Sequence, residues 1–284
     1  MKIGDYEVHS VQTGLFKLDG GAMFGVVPRN LWEKTNPADE QNRIEMCARA
    51  LLLDSGKKKV LIDTGIGNKM SEKLNKIYDV DYTNHTLESS LKELGYTTED
   101  ITDVIVSHLH FDHAGGSTYY DEDRQLNTTF PNAVYHVQKG QYEWALNPTD
   151  RDRASYFSEN YKHLEEKKVL YLINGEYKFD ECITLLPVNG HTKDMQLIKV
   201  SDGYNTLLYM ADLIPTAGHI PVPFIMGYDL FPLTTLEEKK KFLKDITENK
   251  WTVFFEHDPY NECATVGLGA KGYQTEESFS VSER

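Results

Sequence analysis

Between residues 108 and 113 the chain reads His108-Leu109-His110-Phe111-Asp112-His113, four strong metal-ligand side chains in six positions. Imidazole and carboxylate together suit zinc and neighbouring first-row ions. The sequence has ten histidines in 284 residues, and three of them fall in this run, which random scatter would not produce. Three further ligand types each close an apolar stretch. His191 follows Leu185 to Gly190, Asp212 follows Leu207 to Ala211, and His257 follows Val253 to Glu256. A lone His or Asp in such a place is more often a satisfied polar residue than a ligand. Taken with the run at 108–113, however, the set can meet at one sheet edge, where α/β scaffolds commonly present their sites.

The elements that must carry these residues can be read from periodicity. Residues 6–18 alternate as one or two strands before Gly20-Gly21, and 46–53 and 59–63 are strand-like runs joined by a turn at Asp54-Ser55-Gly56-Lys57. Two helical patterns follow; Thr86 can cap the second, with Leu87, Leu91 and Leu94 at helical spacing before Gly95. A strand over 101–107 delivers the His run. Strands are expected at 133–137, 169–173, 183–188, 195–200, 205–210 and 252–255. A capping box at Thr235-Leu236-Glu237-Glu238 would open a helix reaching about Thr247. Residues 138–168, rich in Tyr and Trp, read as helical, either a flap over the site or part of an outer helical layer. The tail from about Gly267 to 284 reads as flexible. With no repeat or linker, one domain over 1–284 is the simplest organisation, its helices covering the outside of sheets.

Composition narrows the function classes. With 40% apolar and 11% aromatic residues the chain is globular, and its formal charge of −14 disfavours nucleic-acid partners. Cys47, Cys182 and Cys263 form no CxxC pair, so they read as incidental thiols in a reducing compartment. The first ten residues lack an apolar core for a signal peptide, and no stretch approaches a membrane span. The expectation is a soluble cytoplasmic protein, monomer or homodimer, acting on a small molecule away from membranes.

Asp63-Thr64-Gly65, the HxHxDH run, Gly190-His191-Thr192, Asp212 and His257 resemble, in order, the five motifs of the metallo-β-lactamase superfamily. The resemblance spans residues 63 to 257 and implies an α/β fold, an αββα sandwich of two mixed sheets flanked by helices, with a dinuclear site. By position, His108, His110 and His191 would hold one metal, Asp112, His113 and His257 the other, and Asp212 would bridge them. Asp63 would orient a ligand histidine, unless it is a simple turn residue. Two zinc ions would share a water, lower its pKa and so provide a bridging hydroxide as nucleophile; iron, manganese and cobalt remain open. There is no GxSxG run. The flavo-diiron branch usually has Glu where this chain has His110, and it carries a flavin domain, so hydrolysis is the expected chemistry.

Gly20 to Pro28 and Asn42-Arg43-Ile44 resemble the branch of N-acyl-homoserine lactonases and methyl-parathion-type phosphotriesterases. Met23 and Phe24 would then wall an apolar substrate pocket, or else pack in the core. The lactonases of that branch usually carry a Tyr three residues after the bridging Asp; here Pro215 stands there. A poor leaving group needs a proton, so Asp112 or His219 would have to supply it, His219 being otherwise an exposed loop residue. Lys193-Asp194 replaces the usual Pro-Gly after the Gly-His-Thr motif. Glyoxalase II-like thioesterases share the ligand motifs but use a basic C-terminal region, which this chain lacks. A lactone is thus the expected substrate, with phosphotriesters or thioesters as alternatives. A non-catalytic metal- or ligand-binding protein on the same fold is the reading from another class.

Overall fold

Alternation along the strands decides the layers. In the strand Arg43–Asp54, Leu51 and Leu53 point into a large buried cluster with Val60, Ile62 and Ile105. Leu185, Leu197 and Leu207, far away in sequence, join them there. Ala50 and Leu52 face the opposite way, into a second cluster with Leu61, Val104 and the helix residues Leu87 and Leu91. This period of two makes one face of the sheet an inter-sheet core and the other a seat for helices.

The computed structural model describes residues 1–284 and contains two seven-stranded sheets. The first runs, in spatial order, Lys2–Ile3, Tyr6–Asp19, Arg43–Asp54, Lys59–Ile62, Asp103–Ile105, Val134–Gln138 and Leu170–Ile173. Its last four strands are mutually parallel. The second runs Tyr177–Lys178, Ile183–Val188, Met195–Ser201, Thr206–Tyr209, Thr252–Phe254, Cys263–Gly269 and Gly272–Phe279. Its only parallel pair joins Thr206–Tyr209 to Thr252–Phe254, and the helix Pro232–Asn249 lies between them in sequence, as a parallel connection requires. The mixed sheets and flanking helices are those expected of the αββα class. No helix is long and apolar enough to cross a membrane.

Parallel pairing positions the chemistry. Ile62 registers with Ile105, and Tyr209 with Phe254. Within each sheet, therefore, the strand ends that lead to Asp63 and His108, and to Asp212 and His257, fall at one edge.

Three expectations need correcting. The tail does not fray: Cys263–Gly269 and Gly272–Phe279 form an antiparallel hairpin at the end of the second sheet, and Phe279 and Val281 are buried. The last helix begins at Pro232 rather than at a Thr235 cap; Thr235 is buried, and its hydroxyl donates back to the Phe231 carbonyl. Residues 138–168 hold only two short helices, Lys139–Leu146 and Lys162–Glu166, with turns between them. Thr86 does cap Leu87–Glu93, in a reciprocal box with Ser89.

Phe279 tests the hairpin. Phe279→Ala should lower the unfolding free energy by about 3 kcal/mol, the loss expected of a packed phenylalanine. Urea denaturation would measure it; a frayed tail would give a change within about 0.5 kcal/mol.

Candidate metal centre

Between the two sheets the ligand types converge in two groups. His108, His110, His191 and Asp212 form the first, and Asp112, His113 and His257 the second; all seven are buried. In the first, His110 Nδ1 lies 3.0 Å from His108 Nε2 and 3.1 Å from His191 Nε2. Asp212 Oδ2 lies 3.1 Å from His191 Nε2 and 3.7 Å from His108 Nε2. Four ligand atoms placed tetrahedrally around one zinc would stand roughly 3.3 Å apart, so this group has the dimensions of a coordination shell. In the second, the Nε2 atoms of His257 and His113 are 3.1 Å apart, and Asp112 lies 3.7 Å from the first and 3.9 Å from the second. Asp212 Oδ1 is 3.2 Å from His257 Nε2, so its two oxygens reach both groups.

The far side of most imidazoles is fixed. His191 Nδ1 donates to Asp229 at 2.9 Å, and His257 Nδ1 to the Cys47 carbonyl at 2.8 Å. His113 Nδ1 donates to Asp63 at 3.1 Å, and His108 Nδ1 meets Ser107 Oγ at 3.1 Å. Such partners leave the other ring nitrogen as an unprotonated lone pair aimed at a metal. Asp63 is fully saturated, also accepting from the Ser107 amide, the Ser107 hydroxyl and the Tyr209 hydroxyl. Its backbone is left-handed, φ +59°, a conformation Asp tolerates better than most residues.

Glycine lets the two loops meet. A Cβ on Gly115 would collide with the Ile66 carbonyl. Its absence allows Thr64 N to donate to His113 O at 2.8 Å and Gly116 N to Gly65 O at 3.0 Å. Ala211, just before Asp212, is buried with φ +42°, a strain of roughly 1–2 kcal/mol for a residue with a Cβ.

No lysine or arginine pairs with the acidic groups of this centre. Asp63, Asp112, Asp212, Asp229 and Glu256 are all buried, and the ion pairs of each run only to histidines. Those histidines cannot all be charged. Burial, followed by the neighbouring imidazoles, holds His108 and His110 well below the ordinary range. Burial opposes charging of His191 and His257 too, but Asp212 outweighs it and raises both to about 9. Burial pushes Glu256 up to about 8, partly offset by His113. His110 Nε2 and Asp212 Oδ1 have no hydrogen-bond partner. Buried, acid-rich and with an orphaned Asp212 oxygen beside His257, the residues fit divalent metal. The third cluster, Asp63, His113 and Glu256, meets His113 on its Nδ1 side and so supports the ligand.

A cavity of about 260 Å³ opens onto His110, Asp112, His191, Asp212 and His257. Leu18, Met23, Met46, Phe111, Met226 and Leu230 give it apolar walls, while Tyr78, Arg151 and Tyr228 add polar groups. Met23 lines this cavity and is at the same time packed in the core with Phe16, Trp32 and Met46. Phe24 does not line it: fully buried, it stacks on His219 at 4.2 Å and on Trp32 at 5.3 Å. Nor does His219 reach the cavity or lie exposed. Its Nε2 donates to the Met23 carbonyl and its Nδ1 accepts from Thr216, while burial lowers it to about 3. It is a neutral structural histidine without a proton to spare. The 138–168 segment divides: Tyr142 and Tyr161 belong to the core, whereas Arg151 and Ser155 line the cavity and Tyr156 packs 4.7 Å from His110.

Residues 48–257 match the family model described as the metallo-beta-lactamase superfamily. The chain belongs to that superfamily. It is 32% identical over 172 residues to the N-acyl homoserine lactonase AiiA of Bacillus thuringiensis subsp. kurstaki, a match covering 59% of this chain and 60% of that relative. A probable metallo-hydrolase of Mycobacterium tuberculosis is 24% identical over 206 residues, covering 64% of this chain and 63% of its own. The matched stretch is thus under two thirds of these curated relatives. A probable metal-dependent hydrolase from Staphylococcus aureus superposes with a TM-score of 0.88 at 28% identity, covering 98% of this chain and all of that one. The dizinc quorum-quenching lactonase AidC, solved with a product, superposes at 0.78 and 24% identity over 98% and 97% of the two chains, which bears on fold alone.

Asp63 offers a direct test of the ligand-orienting network. Asp63→Ala should weaken zinc binding by roughly 10–100-fold, measured by competition with a chromophoric chelator. Unchanged affinity would reduce Asp63 to a turn residue.

Proposed function

We propose that the chain is a dinuclear zinc hydrolase that opens small ester-like substrates, a lactone foremost. The observation that carries this reading is the shared Asp212: one carboxylate faces two buried ligand groups on the floor of a largely apolar cavity. His108, His110 and His191 would hold one ion and Asp112, His113 and His257 the other. Bound there, the metals would supply a nucleophile from water near neutral pH and an electrophile for the substrate carbonyl.

The chain's own residues do the rest. Asp112 lines the cavity and can take the proton shed by the attacking water. Asp229, Asp63 and the Cys47 carbonyl hold the imidazoles in register. The methionine- and leucine-lined walls suit an acyl chain, and methionine adapts to chains of differing shape. Arg151, which donates to the Gly227 carbonyl at 2.6 Å, brings a cation to the rim where an amide or carboxylate oxygen of the substrate would sit. The lactonase relatives support the choice of a lactone over phosphotriesters and thioesters, which the same centre could also accommodate.

The zinc-loaded protein should release protons from a long-chain N-acyl-homoserine lactone, and Asp212→Ala should reduce the rate at least 1,000-fold, the scale expected when a metal site is dismantled. A fully metallated wild type without turnover would overturn the lactone reading and bring phosphotriesters and thioesters forward. Lactone binding that survives Asp212→Ala with no hydrolysis by either protein would favour a non-catalytic binding protein.

A further inference from the structure

The tyrosines of the interior have partners, save at the cavity. Tyr135 and Tyr161 donate to the carbonyls of Ser117 and Ala145, and Tyr156 meets Thr192. Tyr142 and Tyr209 donate to Glu165 and Asp63. Tyr78 and Tyr228 both line the cavity, and neither hydroxyl bonds to another group of the chain. Tyr78 is half-buried and Tyr228 is 40% exposed at the cavity mouth, so either hydroxyl is free to donate to a molecule that fills the cavity.

Of the two, Tyr228 is the better anchored. Gly227 N donates to the Ala22 carbonyl at 2.7 Å, and Arg151 donates to the Gly227 carbonyl at 2.6 Å. On its other side Asp229 accepts from His191 Nδ1, and Leu230 N donates to the His191 carbonyl at 3.0 Å. Tyr228 is therefore clamped one residue from the carboxylate that orients a ligand histidine. Tyr78 ends a short helix that has no buried residue, and it rests on Phe111 with ring centroids 5.0 Å apart.

We propose that Tyr228 donates the hydrogen bond, and then the proton, that the leaving oxygen needs, a role that rests on the ester-opening reading above. The bond from carbonyl carbon to ring oxygen breaks, and that oxygen departs with the phenolic proton. The proton that Asp112 takes from the attacking water passes on to restore the phenol, both groups facing the same cavity, so each turnover consumes one water. Burial and then the neighbouring acidic groups, Asp19 and Asp112 among them, keep the phenol protonated at neutral pH. His219, enclosed and neutral, has no access to this oxygen.

The test compares two leaving groups in zinc-loaded wild type, Tyr228→Phe and Tyr78→Phe. One substrate is N-hexanoyl-homoserine lactone; the other is 4-nitrophenyl acetate, whose leaving group needs no proton. Tyr228→Phe should lose about 100-fold or more on the lactone and stay within about threefold on the aryl ester, with zinc content unchanged. Calorimetry supplies a readout without turnover. Wild type should prefer the ring-opened hydroxy acid to its analogue lacking the hydroxyl, and Tyr228→Phe should lose that preference. Equal losses on both substrates, no loss on either, or a selective loss in Tyr78→Phe instead would overturn the assignment. A wild type that hydrolyses the aryl ester but no lactone would overturn the lactone reading itself, an outcome visible before any variant is made.

Discussion

Burial of carboxylates with no lysine or arginine paired to them is the constraint on which the rest of this structure depends. Five carboxylates lie buried around the centre, and the ion pairs of each run only to imidazoles. An unpaired buried carboxylate costs several kcal/mol, and the imidazoles offset it only in part, because burial keeps His108 and His110 from taking a proton while His113, His191 and His257 take theirs against it. A divalent ion resolves this, because it replaces the proton each ligand would otherwise need. The same ion would convert a destabilising cluster into the element that binds the two sheets together, since its ligands come from both.

The surrounding fold serves that junction. Asp63 and the 108–113 run extend from parallel neighbours in one sheet, and Asp212 and His257 from parallel neighbours in the other. The sheets are fixed by a shared apolar core, so the ligand groups meet without flexible connections. Buried Arg49 reinforces this by donating to the Phe255 and Asp258 carbonyls on either side of His257. The strained Ala211 is held by burial and aims Asp212 between the two groups. Precision of this kind is what a ligand shell requires.

Much of this was legible in the sequence, for a physical reason. Ligands at strand ends obey local rules: an apolar run of the right length, then a polar residue of the right type. Hence the His run, His191, Asp212 and His257 could be placed from spacing, and the strands that carry them nearly so. Their partners obey no local rule. Asp229 lies 38 residues from His191, and Arg49 lies 206 residues from the Phe255 carbonyl it holds. Glu256 was hidden as the residue before a ligand. His219 and Phe24 share a stack that only tertiary packing reveals. The C-terminal hairpin was missed because its last strand is an edge strand, mostly exposed and polar along Gly272–Phe279, a composition that also marks disorder.

On the proposed reading, two ions occupy the paired ligand groups and share Asp212. Anomalous diffraction at the zinc edge from crystals of the zinc-loaded protein tests it most directly. Two peaks are expected about 3.5–4 Å apart, one among His108, His110 and His191 and one among Asp112, His113 and His257, with Asp212 between them. A single peak, or an ion held instead by Asp63, His113 and Glu256, would contradict it.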